Sequence, residues 1–172
     1  RQRSIDNLRR FAAYSAVAAG LAVVATAGYV AKDGRPPPKP LELVVDAVDN
    51  YPTRYLIADT CADLGIPVVW GAVLVTRAQI SVFWSRPVGP EGVLPGITLR
   101  DLHPEPPDPA SWVTAAGVGV LGAMCGQVGA VMANEAIKLI TGAGDLLFGR
   151  VLYLDTMAAT AAQVPLAPRR NS

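Results

Sequence analysis

The stretch Leu43 to Asp59, LVVDAVDNYPTRYLIAD, limits the fold of this chain more than any other. Its Leu-Val-Val run is continuous rather than alternating in polarity, which is the pattern of a strand buried on both faces. That strand, read over Leu41 to Val48, ends in two aspartates and an asparagine. A helix over Pro52 to Leu64 follows. Pro52 falls in the first turn, where a missing N–H has no intrahelical partner in any case, and Gly65 suits the exit. Ile66 to Val75 and Gln79 to Trp84 read as two more strands, joined by a short connection over Thr76 to Ala78. Open α/β sheets bind ligands outside the carboxyl ends of such strands. The expected fold class is therefore α/β.

Further along, Arg86 to Ala110 is rich in proline and reads as a long irregular loop, the kind that is often functional. Gly117 to Ile140 reads as one helix ended by Thr141 to Gly144. Val151 to Asp155 and Gln163 to Leu166 read as final strands. At the other end, Phe11 to Ala31 runs 21 residues without a charge, followed by the proline-rich break KDGRPPPKP over Lys32 to Pro40. The break divides the chain into a segment of residues 1–40 and a domain of residues 41–172. The uncharged run supports two readings. One is an alanine-rich helix packed on the sheet; the other is a membrane anchor, for which the length suffices. Arginines precede it but Lys32, Arg35 and Lys39 follow, so flanking charge gives no clear orientation.

Composition excludes several classes. Hydrophobic residues make up 51% and charged residues 17%, which is not the balance of a disordered chain. A net charge of +1 provides no basic field for nucleic acid. The two cysteines, Cys61 and Cys125, are far apart and form no CxxC pair, and His103 is the single histidine. Disulfide scaffolds and multi-histidine metal sites are thereby disfavoured, and a reducing, cytoplasmic setting fits best.

Asp46 and Asp49 stand three residues apart at the strand end, and Asp49 is a candidate Mg²⁺ ligand. Magnesium takes hard oxygen donors and is usually held by one or two carboxylates plus phosphates. The competing reading is structural: the Asp49-Asn50 pair forms a turn and caps the next helix. Arg54, in the first turns of that helix, is placed either to meet a phosphate or carboxylate bidentately or to pair with Asp49 or Asp59. His103, among prolines, reads as exposed. Cys125 reads as core filling, and Glu135 with Lys138 as a solvated helix pair. No GxGxxG fingerprint follows a strand and no GxxxxGK[ST] loop occurs, so the usual backbone cradle for phosphates is missing.

Seven stretches in order, VVDAVDNYPTRYLIADTC, PVVWGAV, QISVFW, RDLHPEPPDP, GVLGAMC, NEAIKLITG and GRVLYLDTM, resemble the C-terminal half of the ubiquitin-activating-like, ThiF-type adenylyltransferases of cofactor biosynthesis. These stretches lie between residues 44 and 157. The resemblance implies a partial Rossmann-like sheet with flanking helices. It also implies ATP- and Mg²⁺-dependent adenylation of the C-terminal glycine of a ubiquitin-like sulfur-carrier protein, as in molybdopterin- and thiamine-type sulfur transfer, by a homodimer. The family's DxxDN motif falls on Asp46, Asp49 and Asn50. By resemblance Asp49 is the Mg²⁺/ATP aspartate, Arg54 is the arginine of the following helix, and residues 86–116 form the crossover over the carrier tail.

The chain departs from the pattern at several points. The glycine-rich first strand–helix turn, the ribose-binding aspartate, the phosphate-binding arginine and lysine, and the crossover cysteine have no counterpart. The position of the cysteine falls on Ala115 or on Ser111-Trp112, the zinc CxxC pairs are absent, and the family's helical asparagine is Ala58. The expectation from sequence is thus a truncated or diverged sulfur-carrier adenylyltransferase. The alternative is a non-catalytic carrier-binding or dimerisation module, tethered to a membrane if residues 11–31 span one.

Overall fold

A computed structural model describes residues 43–89, 92–113 and 115–169. The uncharged run of residues 11–31, read as a helix or an anchor, lies outside them. The described chain is a mixed α/β structure. Five strands, β1 (Val44–Asp46), β2 (Val68–Leu74), β3 (Arg77–Phe83), β6 (Arg150–Asp155) and β7 (Thr160–Pro165), form one sheet in the order β1-β2-β3-β6-β7. Helix α1 (Tyr51–Leu64) connects β1 to β2, which are parallel and pair Asp46 with Trp70. Every other neighbouring pair is antiparallel. Among the described residues β1–α1–β2 is the only parallel βαβ unit, and β1 is an edge strand.

Local chemistry explains the first unit. The Asn50 side chain accepts from the Thr53 N–H at 2.9 Å and caps α1, Pro52 occupies its first turn, and Gly65 ends it at φ 73°. An L side chain is strained at that φ, so a glycine exit is expected. Helix α1 lays Tyr55, Ile57, Ala58 and Cys61 against Val68, Trp70 and Phe83 on one sheet face. On the other face helix α4 (Gly122–Thr141) buries Met124, Val128 and Met132 against Val69, Ile80 and Val82. Successive strand residues point to opposite faces, so β1 sends Val44 to the α1 core and Val45 to the α4 core. The strand is covered on both sides, as its continuous apolar run anticipates.

The helix read as continuous over Gly117 to Ile140 is interrupted. A short helix α3 (Ala115–Val118) ends at Gly119, which adopts φ 79°, and Val120 then bridges to Val75 beside the end of β2. The Leu121 N–H is drawn to the Val75 carbonyl, and α4 starts afresh at Gly122. The proline-rich loop is also less irregular than its composition suggests. It holds a two-stranded ribbon of β4 (Val88–Gly89) and β5 (Gly92–Val93), a turn of helix α2 (Leu99–Leu102), and a 3₁₀ turn at Pro109–Ser111.

Candidate functional site

At the carboxyl ends of β1 and β2, on the α1 face, the loop of residues 96–112 folds back over the helix. Arg100 holds Asp59 through two hydrogen bonds of 2.8 and 2.9 Å and donates to the Pro104 carbonyl. The Tyr55 hydroxyl donates to the His103 carbonyl at 3.0 Å. The Trp112 ring lies 5.6 Å from that of Tyr51, and its indole N–H donates to Pro107. Leu99, 1% exposed, anchors this strap in the core.

The two aspartates of the strand end divide into opposite environments. Asp46 is 1% exposed, and its Oδ1 accepts from the Val48 N–H at 3.0 Å. Burial pushes its carboxyl up to about 6, against the smaller opposing effects of that bond and of the nearby Arg54 charge. Asp49 is exposed and makes no hydrogen bond or ion pair among the described residues. Asn50 is occupied as the helix cap. Arg54 pairs with neither Asp49 nor Asp59: its Nη2 donates to the Val48 carbonyl at 2.5 Å, and Asp59 is taken by Arg100. Its guanidinium lies 5.7 Å from the Tyr51 ring and 5.6 Å from the Trp70 ring, both within cation–π range.

Several residues at this place have no sequence signal. Trp70 is brought beside Asp46 by strand register, and His103 arrives from the loop. The His103 ring meets the Trp70 edge at 6.0 Å, and its Nε2 lies 3.3 Å from Gln79 Oε1. His103 is therefore half-buried rather than exposed. Desolvation, followed by the Arg54 charge, holds its ionisation below the usual histidine range. Two buried donors here, Arg54 Nε and Trp70 Nε1, have no hydrogen-bond partner among the described residues. Buried donors are nearly always satisfied, so these two mark a place where an acceptor fits.

Other expectations change as well. Cys125 does not fill the core. It is exposed, because α4 buries the row Met124, Val128, Met132 and Glu135, and position 125 falls off that row. Glu135 is not a solvated partner of Lys138. It is 2% exposed, accepts from the Leu147 N–H at 2.7 Å and pairs with Lys138. Cys61 is buried, and desolvation with the Asp46 charge raises its thiol to about 12, which leaves it unreactive. The residues Gly117 to Gly122 do satisfy GxGxxG spacing, yet they begin inside helix α3 and contain the isolated bridge at Val120, with no strand leading into them. Among the described residues no group of three His, Cys, Asp or Glu could hold a metal ion, and no helix is long and apolar enough to cross a membrane.

An exposed carboxylate with a free coordination sphere fits a hard cation that draws its remaining ligands from phosphates and water. Asp49 meets that condition. Asp46, buried and bonded to its own loop, meets it less well.

Most of the chain is similar to known proteins. The ThiF family profile matches residues 15–172. The chain is 45% identical over 119 residues to a protein of Mycobacterium tuberculosis named probable adenylyltransferase/sulfurtransferase MoeZ, covering 69% of this chain and 29% of that one. It is 42% identical over 124 residues to the SAMP-activating enzyme E1 of Haloferax volcanii, covering 72% and 43%. It is 40% identical over 133 residues to the sulfur carrier protein adenylyltransferase of Thermus thermophilus, covering 77% and 47%. The chain thus spans less than half the length of each of these relatives. With the acidic strand end, the capped helix and the strap over it now accounted for, that match across most of its residues makes this chain a member of the ThiF family.

Proposed function

We propose that this chain takes part in ATP-dependent activation of the C-terminal carboxylate of a ubiquitin-like sulfur-carrier protein, with Asp49 as the Mg²⁺ ligand. Mg²⁺, when bound, would neutralise phosphate charge. The chain's own residues supply position. Asn50 caps α1 and Asp46 ties the Val48 N–H, which together fix the turn that projects Asp49 into solvent. Arg54 is held by the Val48 carbonyl and flanked by two rings, with its buried Nε unpartnered among the described residues; turned outward, its guanidinium would meet an oxygen of a phosphate or of the carrier's tail. Within the loop of residues 86–116, the strap of residues 96–112 borders this place and is the part of the chain suited to lie over that tail. The single observation carrying this reading is the contrast of Asp49, exposed and unengaged, with Asp46, buried and bonded.

The test is direct binding. Mn²⁺ titrated into the full chain with ATP, followed by electron paramagnetic resonance, should show a ternary complex that Asp49→Asn weakens at least about tenfold, the loss of one charged ligand. Equal binding by the variant rejects Asp49 as the ligand.

One observation favours a second reading. Arg54 is already bonded to a backbone carbonyl and stacked on Trp70, so it also fits a purely structural role. On that reading the chain docks a carrier or a second copy without adenylating. Carrier binding by calorimetry, with no exchange of pyrophosphate into ATP, would support it.

A further inference from the structure

The strap over α1 is built in two halves. Its base is fixed in the core. Ile97 pairs with Trp84 through two backbone hydrogen bonds, Leu99 is 1% exposed, and Asp101 closes a capping box with Thr98. The outer half, His103 to Trp112, is different. Most of its residues are exposed, and it is tied to α1 and the sheet near its two ends. At one end the Tyr55 hydroxyl donates to the His103 carbonyl, and the His103 ring sits on Trp70 and Gln79. At the other the Trp112 ring meets Tyr51. Four prolines, at 104, 106, 107 and 109, fix φ between these ends, so the outer half is stiff and moves as one piece.

We propose that His103 is an acid-released latch: protonation of its imidazole frees the outer half of the strap and uncovers Arg54 and Trp70. The argument rests on what surrounds the ring. The sheet faces it with Trp70 of β2 and Gln79 of β3, neither of which carries a charge. Helix α1 faces it with Tyr55 and with Arg54, whose positive charge opposes a second one. From β1, the Asp46 charge bears on Arg54 and Cys61 and not on His103. Trp70 already has the Arg54 guanidinium within cation–π range. An imidazolium here would therefore be half-buried beside a cation without a paired carboxylate, and lifting the ring into water relieves it. The sign follows from linkage. The lifted ring has the ordinary histidine value of 6.5 and the docked ring a lower one, so acid does not disfavour closure above about pH 6.5 and increasingly disfavours it below, until the docked ring also protonates. Use of this opening by a carrier's tail rests on the function proposed above; the latch itself needs neither metal nor carrier.

Nuclear magnetic resonance of the full chain tests it, because His103 is the single histidine and its ring signals cannot be confused with another. As pH falls from about 8 to about 5, the imidazole should titrate with a midpoint below 6.5. The amides of Glu105, Ala110 and Ser111 and the indole N–H of Trp112 should shift with that same midpoint. Tyr55→Phe, which removes one tie of the outer half, should move the midpoint up toward 6.5. Asp46→Asn should keep the coupled transition, and His103→Gln should abolish it. A midpoint at or above 6.5, or strap signals that do not follow the imidazole, would overturn the proposal. So would a transition that survives in His103→Gln or disappears in Asp46→Asn, which would assign it to Asp46.

Discussion

The two faces of the sheet differ in what covers them and in what they carry. On the α1 face the chain closes over itself. The strap of residues 96–112 is tied to α1 by Arg100, Tyr55 and Trp112, and the ionisable groups Asp46, Arg54 and His103 gather beneath it. The α4 face has an apolar inner contact with one buried acid, Glu135, and an outer side that no described residue covers. The α1 face thus carries both the ties of the strap and the gathered ionisable groups, whereas the α4 face is apolar packing around one buried acid. A fold can hold a carboxylate above its ordinary ionisation only where surrounding packing is rigid enough to keep water out.

The largest expected effect tests cohesion on the α4 face. Glu135→Ala should lower stability by about 3 kcal/mol in denaturant unfolding, because it strands the buried Leu147 N–H and removes the carboxylate partner of Lys138, which keeps only the Asp145 carbonyl. Nucleotide and metal binding at the other face should be unchanged in whatever fraction stays folded. Leu99→Ala, which loosens the strap, should cost about 2–3 kcal/mol by opening a cavity in the α1 core. Unlike the first substitution, it should raise the exchange rates of amides in residues 96–112.

Asp46 sets a pH dependence. Its carboxyl has an ordinary value of 3.8 and titrates at about 6 when folded, so between those values the folded chain binds a proton that the unfolded chain has released. Stability from this group is therefore full below about pH 4 and falls as pH rises through 6. A difference of about 2 pH units corresponds to an upper bound of about 3 kcal/mol. Asp46→Asn, which keeps an acceptor for the Val48 N–H, should match the unsubstituted chain at pH 4 and exceed it at pH 7.5. Urea midpoints measured at both values check this, and a constant offset would contradict it. The smallest effect belongs to Arg100→Ala. The Arg100–Asp59 pair is partly exposed, with side-chain exposures of 43% and 46%, so its loss should cost only about 0.5–1 kcal/mol.

Much of the α1 face was legible in the sequence because its signals are local. Pro52, Asn50 and Gly65 sit where helix-end chemistry requires them, and the Leu-Val-Val run marks a strand covered on both sides. What escaped depends on register and on partners distant in sequence. Asp46 and Asp49 look equivalent as letters; only the pairing of Asp46 with Trp70 and the bond from Val48 set them apart. His103 looked solvent-exposed among prolines because its partners, Gln79 and Trp70, are 24 and 33 residues away. The α4 region misled for a different reason. Its apolar composition runs right round the helix, so sequence could not tell that Cys125 is exposed or that Glu135 is buried. Strand β7 begins earlier than expected, since Thr-Ala-Ala has little strand signal and pairs only because β6 presents an open edge.

Asp49, rather than its buried neighbour, is the residue proposed to serve nucleotide activation. The most direct measurement is exchange of labelled pyrophosphate into ATP by the full chain, with Mg²⁺ and a sulfur carrier ending in glycine. Exchange is expected from the unsubstituted chain, with retention at neutral pH in Asp46→Asn and a loss of about hundredfold in Asp49→Asn. No exchange by the unsubstituted chain, or equal exchange in Asp49→Asn, would contradict it.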